Sequence, residues 1–425
     1  MAGKKSAARP HIEVHLDAPE LGPARHIGNL FPGKERVDLP PSFEYTEGWL
    51  GSANAVAIDP QLDLVEGEQH STLARGFGVF ADSAPDRWGR VLMERREIKA
   101  AEDQQRKTAR MNDMFFMLGV NDFTRSGALR FRVPPGEVFV DNGPLPAPPA
   151  TDLRELAAVA KKLDGPRPEE MPEYDQWLSM LVAPGTSLGG ARPKATFTRE
   201  DGTLWLAKFP GHNDSYDWGS WEYLVFMLAR RARVDMPDAE RLALSDRYHT
   251  YAVQRFDRIN PRAGTAQARR MYASAMTLTQ RHDGQDDGSY LHLVEALDEN
   301  GGSGLTDDLA QLFRRAVFNL MVGNRDDHLR NHGFLLTPTG WRLAPAFDIN
   351  PSPVKAQHAL TWDGRSSSPD LKTLLATAGF YRLGAKQAQD IAEEVREVVS
   401  SWQAQARELD ISRVEISMMQ KAFSP

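Results

Sequence analysis

The residues best suited to chemistry lie together in Asn324-Arg325-Asp326-Asp327-His328-Leu329-Arg330-Asn331-His332, directly after an apolar run ending in Met321-Val322-Gly323. Almost all of them are ionisable or amide-bearing. Phosphoryl transfer needs a carboxylate to orient the attacking hydroxyl and an amide oxygen nearby to hold magnesium. Protein kinases carry the two on one loop, spaced as Asp-x-x-x-x-Asn. Asp326 and Asn331 have that spacing. Alone it decides nothing, because roughly one such pair is expected by chance in a chain of this length.

The context adds weight. Kinases place a short hairpin between the catalytic loop and a metal-binding aspartate. Residues 333–336 and 341–343 read as such a hairpin around Thr337-Pro338-Thr339-Gly340, followed by Ala344-Pro345-Ala346-Phe347-Asp348. Asp348 would return beside Asn331 as a second hard oxygen ligand for magnesium. It also suits a simple turn cap, since Asp348-Ile349-Asn350-Pro351 is a good turn sequence. From the other lobe a strand should bring a lysine to the phosphates. Lys208 closes the apolar run Leu204-Trp205-Leu206-Ala207, as a phosphate ligand or as an edge-strand charge. Glu222 on the following helix is its natural acidic partner, and Asp217 the competitor, with more the look of an N-cap.

Two further segments face the same place. Before the strands runs Gly185-Thr186-Ser187-Leu188-Gly189-Gly190-Ala191-Arg192-Pro193-Lys194. The small residues Gly189, Gly190 and Ala191 would let backbone amides approach phosphate, with Arg192 and Lys194 adding positive charge. A flexible turn accounts for them equally well. Gln254-Arg255-Phe256-Asp257 ends the last strand of the small lobe. A hinge there would meet adenine and ribose; an ordinary strand-end turn is the alternative.

The elements that position these groups follow from pattern. At 425 residues the chain should form two or three packed units. A proline-rich stretch, residues 134–150, marks the first boundary and suggests units at 11–150, 151–258 and 259–425. Strands are expected at 127–133, 194–198, 203–209, 242–244 and 248–256. Helices are expected from near Ser83, then at 111–118, 152–163, 174–181, 217–233, 290–297, 307–322, 371–378 and 387–409. The fold class is therefore α+β: a strand-rich lobe followed by a helical one, as in bilobal protein kinases. A net charge of −7 argues against a dedicated nucleic-acid binder. The chain has no cysteine, no apolar run long enough for a membrane span and no signal-like N-terminus, so a cytoplasmic protein without membrane contact is expected.

Taken in order, these motifs resemble the HipA family of bacterial serine/threonine kinases, the toxin half of HipBA-type toxin–antitoxin systems. The resemblance covers nearly the whole chain. It is most specific at residues 187–194, 326–331 and 343–348, and extends to Val79-Phe-Ala-Asp-Ser-Ala-Pro-Asp86 and Asp122-Phe-Thr-Arg-Ser-Gly-Ala128. Ala84 stands where the family has leucine. The resemblance implies ATP and Mg2+ as cofactors, Asp326 as the catalytic carboxylate, Asn331 and Asp348 on the metal, and Lys208 on the phosphates. It places residues 189–194, His328, Arg330 and Asn331 around the nucleotide, with Gln254, Phe256 and Asp257 at adenine and ribose. Gln254 replaces a common glutamate, and Arg192 is a further departure. Ser187 matches a site of inactivating autophosphorylation. The implied partners are a protein substrate such as an aminoacyl-tRNA synthetase or other translation factor, and a HipB-like helix-turn-helix antitoxin through which DNA would be met only indirectly.

Three other readings stay open on residues alone. A small-molecule kinase would share the lobes and metal logic. A metallohydrolase would use Asp326, Asp327, His328, His332 and Asp348 as ligands, leaving Lys208 without a role. A kinase-like binding protein would keep the fold without catalysis.

Overall fold

Alternation decides how the chain begins. In the computed structural model Ile12, Val14 and Leu16 of the first strand are buried, while Glu13 and His15 are half-buried on the other face. That strand, β1 (Ile12–Leu16), is flanked by β2 (Arg25–Phe31) and β5 (Leu129–Arg132), with β3 (Ser42–Tyr45) and β4 (Gln69–His70) completing an antiparallel sheet of order β4-β3-β2-β1-β5. Helices α1 (Glu47–Leu50), α2 (Gly78–Asp82), α3 (Arg87–Asp103) and α4 (Asp113–Leu118) accompany it. Asp86 caps α3 by accepting from Gly89 N. The structure describes residues 9–33, 40–73, 76–141, 147–182, 190–260, 267–282, 284–285 and 287–423.

The chain continues with α5 (Leu153–Leu163) and α6 (Tyr174–Val182) before β6 (Lys194–Thr198) and β7 (Leu204–Lys208). Those two strands form the expected hairpin, with Gly202 at φ 79° and Asp201 Oδ1 accepting from Thr203 N at 2.9 Å. Helix α7 (Trp218–Arg231) follows, then β8 (Ala239–Leu242) and β9 (Thr250–Gln254), giving an antiparallel sheet of order β6-β7-β9-β8. Every residue of β7 is buried. One apolar cluster packs α5 and α6 on this sheet through Leu156, Trp177, Phe197 and Trp205.

Beyond a short ribbon, β10 (Arg258–Ile259) and β11 (Ala268–Arg269), the chain is mainly helical. Strands β12 (Tyr272–Ser274), β13 (Gly333–Thr337) and β14 (Gly340–Leu343) make a small sheet. Around it lie α8 (Ala275–Leu278), α9 (Tyr290–Asn300), α10 (Leu305–Met321), α11 (Leu371–Ala376), α12 (Ala385–Ser400), α13 (Trp402–Glu408) and α14 (Arg413–Met419). The largest apolar cluster is continuous from the N-terminal sheet through α7 into these helices. The chain is thus an α+β protein with a strand-rich part set against a helical lobe.

Three expected elements are corrected. The helix expected from near Ser83 begins at Arg87, and Ser83 instead closes α2. The helix expected at 387–409 is two helices broken at Ser400 and Ser401, whose hydroxyls donate to the carbonyls of Glu397 and Val398, each at 2.7 Å. Such back-bonding competes with continuation of the helix. The strand expected at 242–244 instead ends at Leu242.

Candidate active site

The loop that bears Asp326 is aimed by the end of α10. Gly323 N donates to Leu320 O at 3.2 Å and Asn324 N to Asn319 O at 2.9 Å, the two bonds of a Schellman cap. Gly323 has φ 63°, and a Cβ there would stand 2.3 Å from the Ala422 carbonyl oxygen. Only glycine meets both demands.

Below the loop lies a buried polar cluster. Asp327 accepts from Tyr290 Oη and, at 3.0 Å, from Asn319 Nδ2, and it pairs with His332 Nε2 at 2.9 Å. Burial opposes the Asp327 charge, but His332 and the Tyr290 hydroxyl overcome it and lower its pKa. Asp327 and His332 therefore face inward and hold the loop, while Asp326 faces out with a side chain 65% exposed. The ligand set of a metallohydrolase does not converge. Among the described residues no cluster of three or more His, Asp or Glu side chains is arranged to hold a metal.

Asn331 sits on the single turn Leu329–Asn331, and its Nδ2 donates to the Asp326 carbonyl at 3.2 Å. That bond leaves its amide oxygen as the group offered to a cation. Strands β13 and β14 then carry the chain to Asp348, whose φ of 57° is left-handed, a conformation that costs energy in a non-glycine residue and clusters at functional sites.

Asp348 meets the other lobe directly. Lys208 Nζ lies 2.8 Å from Asp348 Oδ1 and 2.5 Å from Glu222 Oε1. Asp217 is not the partner. It caps α7 by accepting from Ser220 N at 3.1 Å, and it also pairs with His249 Nδ1 at 2.6 Å. Burial works against the Lys208 charge, yet Asp348 and Glu222 more than offset it and its pKa is raised. Burial likewise opposes Asp348, but Lys208 holds its carboxyl at about 2. At Glu222 burial prevails over Lys208, and the pKa rises. Two carboxyl groups thus share one ammonium, a surplus of negative charge that suits a hard divalent cation at Asp348 and Asn331.

The remaining expected residues are placed unevenly. Phe256 is half-buried and packs against Tyr272 and Phe347, with ring centroids 5.9 and 5.4 Å apart, which sets an aromatic surface one residue from Asp348. The Gln254 side chain donates to Asn260 Oδ1 at 2.7 Å. His328 and Arg330 are exposed on the loop. Gly190 (φ 84°) and Ala191 are exposed as well. Ser187 and Gly189 lie outside the described residues.

Packing engages three more of the expected residues, and at Asp257 it corrects the expectation. Asp257 is fully buried and accepts from Arg255 at 2.6 and 2.9 Å, from Arg258 at 2.7 Å and from Gly127 N at 2.8 Å. Burial raises its pKa, but Arg255 and Arg258 overcome this and hold it well below the carboxylate range. It fastens the N-terminal unit and has no oxygen turned to a ribose. Lys194 is also fully buried, donating to Asp86 Oδ2 at 2.6 Å and Gly190 O at 2.8 Å, and its charge also helps to lower the Asp348 pKa. Arg192 is clamped by Asp214 at 2.5 and 3.0 Å over the Trp218 ring and lines one pocket with Lys208 and Glu222. None of these acidic partners is close in sequence, and no local signal pointed to them.

A strand-borne lysine held by a helical glutamate, opposite an aspartate that follows a hairpin behind an Asp-x-x-x-x-Asn loop, defines a bilobal, kinase-like protein. Residues 186–402 match the HipA-like C-terminal domain, and the chain belongs to that family. A curated relative from Sinorhizobium fredii (strain NBRC 101917 / NGR234), named "Putative kinase Y4mE", is 24% identical over 326 residues, 72% of this chain and 71% of its own. Among solved structures, HipA from the Shewanella oneidensis MR-1 complex of HipA, HipB and operator DNA shares the fold. The TM-score is 0.70 at 17% identity, over 97% of this chain and 96% of that one.

Proposed function

We propose that this chain is a serine/threonine protein kinase that transfers the γ-phosphoryl group of ATP, and that it serves as the toxin of a HipBA-type pair. The observation that carries the reading is Lys208, held at once by Glu222 and Asp348. A strand lysine paired with a helical glutamate is what a protein kinase requires of its active state, and Asp348 follows the hairpin in the order of the kinase metal-binding aspartate. Lys208 would meet the phosphates, and Asp348 with Asn331 would hold Mg2+. The bound metal would supply charge neutralisation between the β- and γ-phosphates. Phe256 offers an apolar face to adenine. Asp326 would orient the acceptor hydroxyl and take its proton.

The family supports a translation component as acceptor and a HipB-like antitoxin as partner in the cytoplasm. No helix among the described residues is long and apolar enough to cross a membrane. Self-inactivation through Ser187 belongs to the same proposal.

The test is incubation of the protein with γ-³²P-labelled ATP, Mg2+ and lysate of the source organism, alongside Asp326→Asn. A labelled protein band produced by wild type alone supports the reading. Blank lanes from both, with label entering free sugars or aminoglycosides instead, would replace it with a small-molecule kinase.

A further inference from the structure

Behind Asp348 the chain does not leave the site but folds back along the catalytic loop. Ser352 N donates to Gly323 O at 2.9 Å, Arg325 Nη1 donates to the Lys355 carbonyl, and His358 Nδ1 meets Asn324 O at 3.0 Å. Lys355 is thereby held from both sides at a fixed station beside residues 323–325. From there its ammonium reaches Asp326 Oδ1, although 29 residues separate the two. Both side chains stay more than half exposed, at 52% and 65%. An ion pair so wet adds little stability and is screened by salt. It is too weak to lock the site shut, and no structural need accounts for it.

Three other cations around the site are engaged with carboxylates: Lys208 with Glu222 and Asp348, Lys194 with Asp86, and Arg192 with Asp214. Arg325 turns its Nη1 to the Lys355 backbone. Of these five lysines and arginines, Lys355 is the one whose side chain pairs with Asp326.

Resting on the kinase reading above, we infer that Lys355 is a second catalytic residue, one that contacts the phosphoryl group as it passes to the acceptor. The acceptor oxygen attacks the γ-phosphorus and forms the new P–O bond. The bond from that phosphorus to the β,γ-bridging oxygen breaks, and ADP leaves with its electron pair. The hydroxyl proton goes to Asp326, and Lys355 keeps its own proton throughout. A fixed cation at this point stabilises charge gathered on the transferring oxygens. It also holds the Asp326 carboxylate ready.

Lys355→Ala and Lys355→Arg test this, since a half-exposed side chain can be replaced without loss of fold. Calorimetry with Mg-ADP and with Mg-AMP-PNP separates γ-phosphate contact from general nucleotide binding. Lys355→Ala should leave ADP affinity within about twofold and weaken AMP-PNP several-fold, and should slow ³²P transfer into the wild-type lysate band by about 10- to 100-fold at saturating ATP. Lys355→Arg should recover most of both. Transfer by Lys355→Ala as fast as wild type, or faster, overturns the inference while leaving the kinase reading intact. No transfer by wild type removes both.

Discussion

Lys208 and Asp348 are 140 residues apart in sequence and 2.8 Å apart in space. Their contact joins the last residue of a buried strand to a left-handed aspartate behind a hairpin, and it closes the two lobes on one point. Glu222 shares the same ammonium. An arrangement of two carboxyl groups and one cation is poorly suited to stability alone, since desolvation offsets most of the attraction. It is well suited to receive a metal and a triphosphate.

That contact has a pH signature. Asp348 is held at about 2, below its ordinary 3.8, so its share of stability is full above pH 4 and lost as pH falls from about 4 to 2. The share is about 2 kcal/mol. Urea titrations of wild type and Asp348→Asn should show a stability gap that narrows through that window. A gap unchanged by acid would contradict the pairing.

Tyr290 should matter to turnover through Asp327. Tyr290→Phe removes the hydroxyl that donates to the buried carboxylate and should cost about 1.5–3 kcal/mol of stability. Below its melting range the variant should show a lower kcat with an unchanged KM for ATP, because the loop bearing Asp326 loosens while the nucleotide groups stay. A change confined to KM would place Tyr290 elsewhere in the mechanism.

Asp257→Asn separates a fastening role from a ribose contact. Two buried arginines would lose their counter-charge, a loss of about 3–5 kcal/mol. The affinity ratio of ATP to dATP, measured on the folded fraction, should not move. A ratio that shifts would restore Asp257 to the nucleotide.

The Asp86–Lys194 pair should behave as one unit. Asp86→Asn and Lys194→Met should each destabilise by about 3–5 kcal/mol. The double variant should cost clearly less than their sum. Strict additivity, read from denaturant midpoints, would mean that the two do not act on each other.

Much of the architecture was legible because it is local. The hairpin of β6 and β7 announces itself in Glu200-Asp201-Gly202, and the cap of α7 in Asp217. Asp326, Asn331, Asp348, Lys208 and Glu222 could be ordered along the chain by spacing and element type. What spacing could not supply was partnership across distance. Asp86 reaches Lys194 over 108 residues, so that lysine looked free to meet a nucleotide, whereas Asp257 is held by its own sequence neighbours Arg255 and Arg258. Of the N-terminal sheet only the strand at 127–133 was expected, because β5 pairs with β1 far back in the chain. Lys355 was passed over for the same reason. It stands in Pro351-Ser352-Pro353-Val354-Lys355, a stretch with no motif, and only its backbone bonds to the loop give it a station.

The most direct measurement of the central claim pairs binding with transfer in two variants, Asp326→Asn and Asp348→Asn. Calorimetry with Mg-ATP and γ-³²P transfer into lysate are read on the same preparations. Asp326→Asn should bind Mg-ATP within about twofold of wild type yet label no band, and Asp348→Asn should lose the magnesium dependence of binding together with transfer. Labelling by Asp326→Asn at the wild-type rate, or magnesium-dependent binding that survives in Asp348→Asn, would contradict the account.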